Sequence, residues 1–187
     1  MLSSEGSKMI EIEDNFLGQK EFDRLQNLLM GSMFPWYYNP IIVFPDDEDK
    51  YQFSHLFYDS YVPTSKNIEI INPILAKADV QSIWRIKANL LTKTPNIIEN
   101  EFHVDMSLIY KDGVEIDSSG GHKKLLKQST TSIFYVNTNN GYTKFEDGTK
   151  IESVAYRMVS FPTNTQHKGT SCTDQKTRVV INFNYFK

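Results

Sequence analysis

His103 and Asp105 stand two residues apart in the run Glu101-Phe102-His103-Val104-Asp105. Side chains alternate between the faces of an extended strand, so a strand over Phe102–Tyr110 aims both donors to one side. An imidazole nitrogen and a carboxylate oxygen at that spacing make a chelating edge. A second imidazole from another strand, for which His167 is the candidate, completes a facial set of two histidines and one carboxylate. Such a set leaves three positions of an octahedral Fe(II) open for a bidentate cosubstrate and dioxygen. Arg178 follows His167 by 11 residues and opens an apolar run. Its planar guanidinium can pair bidentately with a carboxylate, as a two-ended acid that chelates iron at its other end requires. The His-x-Asp tripeptide alone is expected by chance about a quarter of a time in such a chain, so its weight comes from the order of the four residues.

The elements that must hold these residues are mostly strands. Arg178–Phe186 reads as the last and strongest strand. Upstream of the His103 segment, Ile83–Leu91 alternates Trp84, Ile86, Ala88 and Leu90 with Arg85, Lys87 and Asn89, and its polar face is a candidate wall of the site. Between the two histidines, strands are expected over Thr130–Asn137, Tyr142–Phe145, Ile151–Val154 and Arg157–Phe161, with turns at Asn139-Asn140-Gly141 and Asp147-Gly148. Lys111–Lys127, rich in Gly and Ser, reads as a long flexible loop of the kind that forms lids, and His122 within it as a solvated residue. The N-terminal third supplies packing elements. A short strand is expected at Met9–Ile12 after a frayed leader. A helix over Gln19–Met30 places Phe22, Leu25, Leu28 and Leu29 on one face, with Gly31 as its stop. Tyr51–Tyr58 reads as a strand carrying a partly buried His55, and Asn67–Ala78 as a second helix with Pro73 as its weak point. The Asp46-Asp47-Glu48-Asp49 run lacks calcium-loop spacing and reads as a solvated turn.

Composition narrows the class. A chain of 187 residues fits one domain with a sizeable core, and 12 Phe, 10 Tyr and 2 Trp set in alternating runs favour a sheet protein. A net charge of −3 with no dense basic block offers no footprint for a phosphate backbone, so nucleic acid is not expected as a partner. A single cysteine, Cys172, precludes an intramolecular disulfide. With no secretory h-region and no membrane-length apolar run, the expected setting is cytoplasmic and no membrane partner is expected. Nothing in the sequence speaks to oligomeric state.

His103-x-Asp105, Tyr135-Val136-Asn137 followed by Gly141-Tyr142-Thr143-x-Phe145, and then His167 and Arg178, resemble the Fe(II)- and 2-oxoglutarate-dependent oxygenase superfamily. Within it the set is similar to the prolyl-4-hydroxylase-like branch, which includes small phage-type members. The resemblance spans Ile83–Phe186. It implies a mainly β fold with flanking helices, a double-stranded β-helix (jelly roll, cupin-like), whose metal-binding core is residues 81–187 and whose buttress is residues 1–80. It implies His103, Asp105 and His167 as Fe(II) ligands and Arg178 as the partner of the distal carboxylate of 2-oxoglutarate. Asn89, Thr131 and Tyr135 are carried over as further cosubstrate contacts. The activity implied is hydroxylation of a peptidyl (prolyl-type) or small-molecule C–H bond with O2, releasing succinate and CO2.

Two other functions compete. One is a non-catalytic jelly-roll module that binds a carboxylate or sugar. The other is a nucleic-acid demethylase of the same superfamily, but the second arginine that related repair enzymes carry six residues after the cosubstrate arginine is here Asn184.

Overall fold

Strand-forming runs whose apolar residues recur at every second position need a cover on that face, and the fold supplies it with two helices on one side of a large antiparallel sheet. The computed structural model describes residues 10–43, 50–105, 110–111, 114–115 and 128–187. Its elements are β1 (Glu11–Glu13), α1 (Gln19–Leu29), β2 (Tyr37–Asn39), β3 (Gln52–Asp59), β4 (Val62–Pro63), a 3-10 turn over Ile68–Ile71, α2 (Asn72–Lys77) and β5 (Ser82–Thr92). There follow β6 (Tyr110–Lys111), β7 (Val114–Glu115), β8 (Ser129–Tyr135), β9 (Tyr142–Phe145), β10 (Lys150–Glu152), β11 (Met158–Pro162), β12 (His167–Gly169) and β13 (Thr177–Phe186). The large sheet runs β1-β11-β8-β13-β5-β3-β2, with β4 hairpinned onto β3. A three-stranded sheet, β10-β9-β12, faces it, and β6 pairs with β7.

Register explains how one chain makes two faces. Along β13, Val179, Ile181, Phe183 and Tyr185 point into the larger core with Phe134, Ile86, Ala88 and Phe57. There they meet Phe22, Leu25 and Leu29 of α1 and Ile74 of α2. Burying each such side chain contributes roughly 1.5–3 kcal/mol. This tertiary packing holds α1, which starts at Gly18 without a side-chain cap. Gln26 Nε2 of α1 also donates to Val136 O at 2.7 Å, tying the helix to the end of β8. The alternate residues Arg178, Val180, Asn182 and Asn184 face the small sheet, where Ile133, Tyr135, Phe145, Ile151, Val159, Phe161 and Val180 form a second core. β5 pairs with β13 over nearly its whole length, with Lys87 opposite Asn182 and Asn89 opposite Val180.

The mainly β jelly roll with flanking helices is thus present, and the expected strands and the first helix fall within a few residues of their observed bounds. Three expectations change. Phe102–Asp105 is not a continuous strand: His103 makes an isolated bridge to His167, and Asp105 lies in a bend. The second helix is split, because Pro73 has no N–H to donate and sits in the first turn of α2, after the 3-10 turn. The N-terminal residues are more than a buttress, since β3 pairs with β5 and β1 with β11. The frayed leader, the acidic turn at Asp46–Asp49, the lid proposed for Lys111–Lys127 apart from β6 and β7, and His122 lie outside the described residues. Among the described residues no helix is long and apolar enough to cross a membrane.

Candidate metal and cosubstrate site

The space between the two sheets is a cavity of about 440 Å³. The site face of β5 gives it Arg85, Lys87 and Asn89. Arg178 and Asn182 enter from β13, Thr143 from β9, His167 from β12, and His103 and Asp105 from the segment that bridges to β12. His103 and His167 are joined by reciprocal backbone hydrogen bonds, each N–H donating to the other's carbonyl at 3.0 Å. Their rings lie 4.7 Å apart between centroids.

The donor atoms of His103, Asp105 and His167 lie within 4.8 Å of one another. His103 Nε2 is 3.9 Å from Asp105 Oδ1, and His167 Nε2 is 3.9 Å from Asp105 Oδ2. Neighbouring ligand atoms bound at about 2.1 Å to one octahedral ion stand roughly 3.0 Å apart, so contraction by about 1–2 Å brings the trio to bonding distance. Both imidazoles are already oriented for it. Nδ1 of His103 lies 3.1 Å from Glu101 O and Nδ1 of His167 3.0 Å from Thr165 O, geometry that places the proton on Nδ1 and turns the Nε2 lone pair toward Asp105. Burial, and then His167, lower the pKa of His103 against the pull of Asp105, which keeps this imidazole in its neutral, ligating form.

Asp105 is held from behind. Asn184 Nδ2 donates to its Oδ2 at 3.1 Å and to Thr131 Oγ1 at 3.0 Å, while Arg85 Nε donates to Asn184 Oδ1 at 3.2 Å. Arg85 Nη2 stands 3.5 Å from Asp105 Oδ1. Burial pushes the Asp105 carboxyl up, but the Arg85 cation and the Asn184 amide beside it help hold it below its ordinary range, so it is an anion.

Arg178 occupies the other end of the cavity. It is buried, with Nε donating to Ser153 Oγ at 2.8 Å and Nη2 to Thr143 Oγ1 at 3.4 Å. Its guanidinium lies 5.7 Å from the centre of the Tyr135 ring, and the Tyr135 hydroxyl donates to the same Thr143 oxygen at 2.8 Å. No carboxylate among the described residues pairs with Arg178, and burial draws its pKa down without neutralising it. Room for this side chain comes from Gly141, where a Cβ would meet Arg178 Cδ at 2.7 Å and Ser171 O at 2.7 Å. On the same cavity wall the buried amide oxygen of Asn89 accepts no hydrogen bond from the described residues.

The seven residues singled out in the sequence divide by place. His103, Asp105, His167, Arg178 and Asn89 line one cavity. Thr131 and Tyr135 stand behind the wall, Thr131 on Asn184 and Tyr135 on Thr143. His55 is elsewhere, bonded to Pro35 O and Ser65 Oγ and packed against Phe34 and Phe57. Sequence reasoning missed Ser153 and Thr143 as supports of Arg178, and saw Asn184 only as a missing arginine. Asn184 lies six residues beyond Arg178, on the same face of the strand, and that even spacing was the available signal.

A divalent metal and a dicarboxylate both fit the residues present. The metal has three oriented donors of the right chemistry, and the dicarboxylate has a buried cation, Arg178, with no carboxylate partner among the described residues. The architecture is a jelly roll like that of solved 2-oxoglutarate and Fe(II) oxygenases. Of solved structures, the chain is similar to the viral collagen prolyl hydroxylase of Paramecium bursaria Chlorella virus-1 (TM-score 0.58, 15% identity, covering 100% of this chain and 96% of that one). It is also similar to a prolyl hydroxylase from Trichoplax adhaerens solved with a hypoxia inducible factor peptide fragment (TM-score 0.59, 12% identity, 95% and 83% covered). A third neighbour is HygX from Streptomyces hygroscopicus with nickel and 2-oxoglutarate bound (TM-score 0.58, 10% identity, 96% and 83% covered). At these identities the likeness is one of fold. No protein-family model matches the sequence, and no curated protein does.

Proposed function

We propose that the chain is an Fe(II)- and 2-oxoglutarate-dependent dioxygenase that hydroxylates a C–H bond of a peptidyl (prolyl-type) or small-molecule substrate, with release of succinate and CO2. The observation that carries this reading is the presence, in one cavity, of a preoriented His103, Asp105, His167 set and the buried cation Arg178, with which no carboxylate among the described residues pairs. His103 Nε2, His167 Nε2 and an Asp105 oxygen hold the metal. Arg178 takes the distal carboxylate of 2-oxoglutarate with charge-assisted hydrogen bonds, and Ser153 and Thr143 fix the plane of its guanidinium. Asn89 lines the same cavity as a further contact, through its amide N–H, for the cosubstrate. When bound, iron supplies the redox chemistry that activates dioxygen and oxidises the C–H bond.

The chain's own residues orient the reactants and keep bulk water away from them. Asn184 and Arg85 fix the Asp105 carboxylate, and the two backbone carbonyls on Nδ1 fix the imidazoles, so the three side chains would hold a metal at the cavity wall. The whole chain, residues 1–187, works as one domain in this reading. Its lone thiol, Cys172, is buried and donates to Gln175 O, which suits a cytoplasmic, reducing setting. A peptide is a fitting substrate class because one structural neighbour was solved with a peptide, and a small molecule because HygX was solved with hygromycin B.

The test is anaerobic. Metal-free protein given Fe(II) and then 2-oxoglutarate is expected to develop the weak visible charge-transfer band of the chelate, with no band in His103→Ala and none at matched concentrations in Arg178→Ala. Folded wild-type protein that forms no band would return the chain to the non-catalytic module that binds a carboxylate or sugar.

A further inference from the structure

We propose that Lys87, with Arg85 beside it, is an anion-recognising subsite for the primary substrate, so that the molecule hydroxylated carries a carboxylate or phosphate group. The inference rests on the oxygenase reading and deepens it.

The chain is acidic, with a formal charge of −3, yet its cavity collects Arg85, Lys87 and Arg178 against Asp105. Two of the three cations have work assigned by geometry. Arg178 stands at the far end on Ser153 and Thr143, and Arg85 is tied to Asp105 and Asn184. Lys87 has neither a hydrogen bond nor an ion pair among the described residues, although it projects from the middle of β5 into the cavity. The charged or titratable groups that bear on it are Arg85 on its own strand and Asp105 and His103 across the cavity. A half-buried ammonium with no direct hydrogen-bond or ion-pair partner among the described residues costs the fold some solvation, and such groups gather where a ligand supplies the missing contact.

Charge balance says which ligand. A divalent metal with the Asp105 carboxylate, and a doubly charged 2-oxoglutarate with Arg178, together come to neutrality. Arg85 and Lys87 remain, and they favour a substrate that brings negative charge. The wall around Lys87 also carries acceptors: Asn182, its cross-strand partner, has a buried amide oxygen with no donor among the described residues, as has Asn89 two residues along. These suit the hydroxyl or N–H groups of the same molecule. Arg85 and Lys87 share a face of one strand, so an anion held there lies on the Asp105 side of the cavity, beside the metal ligands and away from Arg178.

The experiment is a solution NMR titration at constant ionic strength. Protein loaded with Zn(II) and 2-oxoglutarate is titrated with acetate and, separately, with inorganic phosphate; the two arms tell a carboxylate site from a phosphate site. Saturable binding of at least one anion is expected, weakened at least 10-fold by Lys87→Met and retained by Lys87→Arg, with 2-oxoglutarate affinity changed less than 2-fold in both variants. Two results overturn the proposal: no saturable binding to folded wild-type protein, or a Lys87→Met variant that loses 2-oxoglutarate as Arg178→Met does, which would make Lys87 part of the cosubstrate pocket. The titration is repeated without 2-oxoglutarate. Protein that ignores 2-oxoglutarate but binds the anions through Lys87 would sink the oxygenase reading and leave the subsite standing.

Discussion

Replacing Arg178 with methionine separates a binding role from a structural one. The side chain is buried, its two neutral partners are the hydroxyls of Ser153 and Thr143, and it faces no carboxylate among the described residues. Without cosubstrate, the substitution removes two hydrogen bonds worth about 1 kcal/mol each but also relieves the desolvation of a buried charge. The two effects oppose, so the unliganded variant is expected to unfold within about 1–2 kcal/mol of wild type. With cosubstrate the balance changes. Truncating one member of a buried, hydrogen-bonded charge pair costs about 2–5 kcal/mol, or roughly 30- to 4,000-fold in affinity for 2-oxoglutarate. Arg178→Lys keeps the charge but loses the planar fork, and recovers only part of that loss. The assay is anaerobic titration of the metal-loaded protein with 2-oxoglutarate, alongside denaturant unfolding of each unliganded variant. A methionine variant that binds 2-oxoglutarate as wild type does, or one that fails to fold without it, refutes the reasoning.

Two further outcomes follow from the same geometry. Asn184→Ala deletes the donor to Asp105 and the acceptor for Arg85, and is expected to weaken metal binding 10–100-fold, the usual scale for an outer partner of a ligand, as read by competition with a chromogenic chelator; unchanged affinity would show that Asp105 needs no such support. Glu99 receives hydrogen bonds from Lys168, Tyr142 and Lys144 that hold its carboxyl at about 2, below the ordinary 4.5. The stability it contributes is therefore complete above about pH 4.5 and lost as pH falls toward 2. Solvent reaches this cluster, so about 1 kcal/mol is expected, and Glu99→Gln should cost that much at pH 7 and about half or less of it at pH 3 in urea unfolding; an equal cost at both pH values would contradict it.

The sequence displayed the parts of the fold that follow a strict period. β5 and β13 alternate cleanly because one face meets α1 and α2 while the other lines a cavity, and the tripeptide containing His103 and Asp105 stood out by residue type alone. What stayed hidden depends on contacts between distant segments. β12 is three residues long, too short to carry a period, and exists because His167 pairs with Phe145 and bridges to His103. Asn184 supports Asp105 only because β13 and β5 pair so that Asn184 faces Arg85, 99 residues away. The orientation of Thr131 and Tyr135 was likewise invisible. Both face the small sheet, but Asn184 and Thr143 stand between them and the cavity.

The reciprocal hydrogen bonds between His103 and His167 have a bearing on evolvability. They fix the spacing of the two imidazoles through the backbone at the ends of a long chain segment, so the residues between Asp105 and Gln128 can change length or composition without reopening the question of where the metal sits. Doubling such a connection costs only about 0.6 kcal/mol in closure entropy. A lineage built on this clasp can exchange that segment while keeping the two imidazoles side by side. That freedom suits a fold whose solved examples hold ligands as unlike as a peptide fragment and hygromycin B.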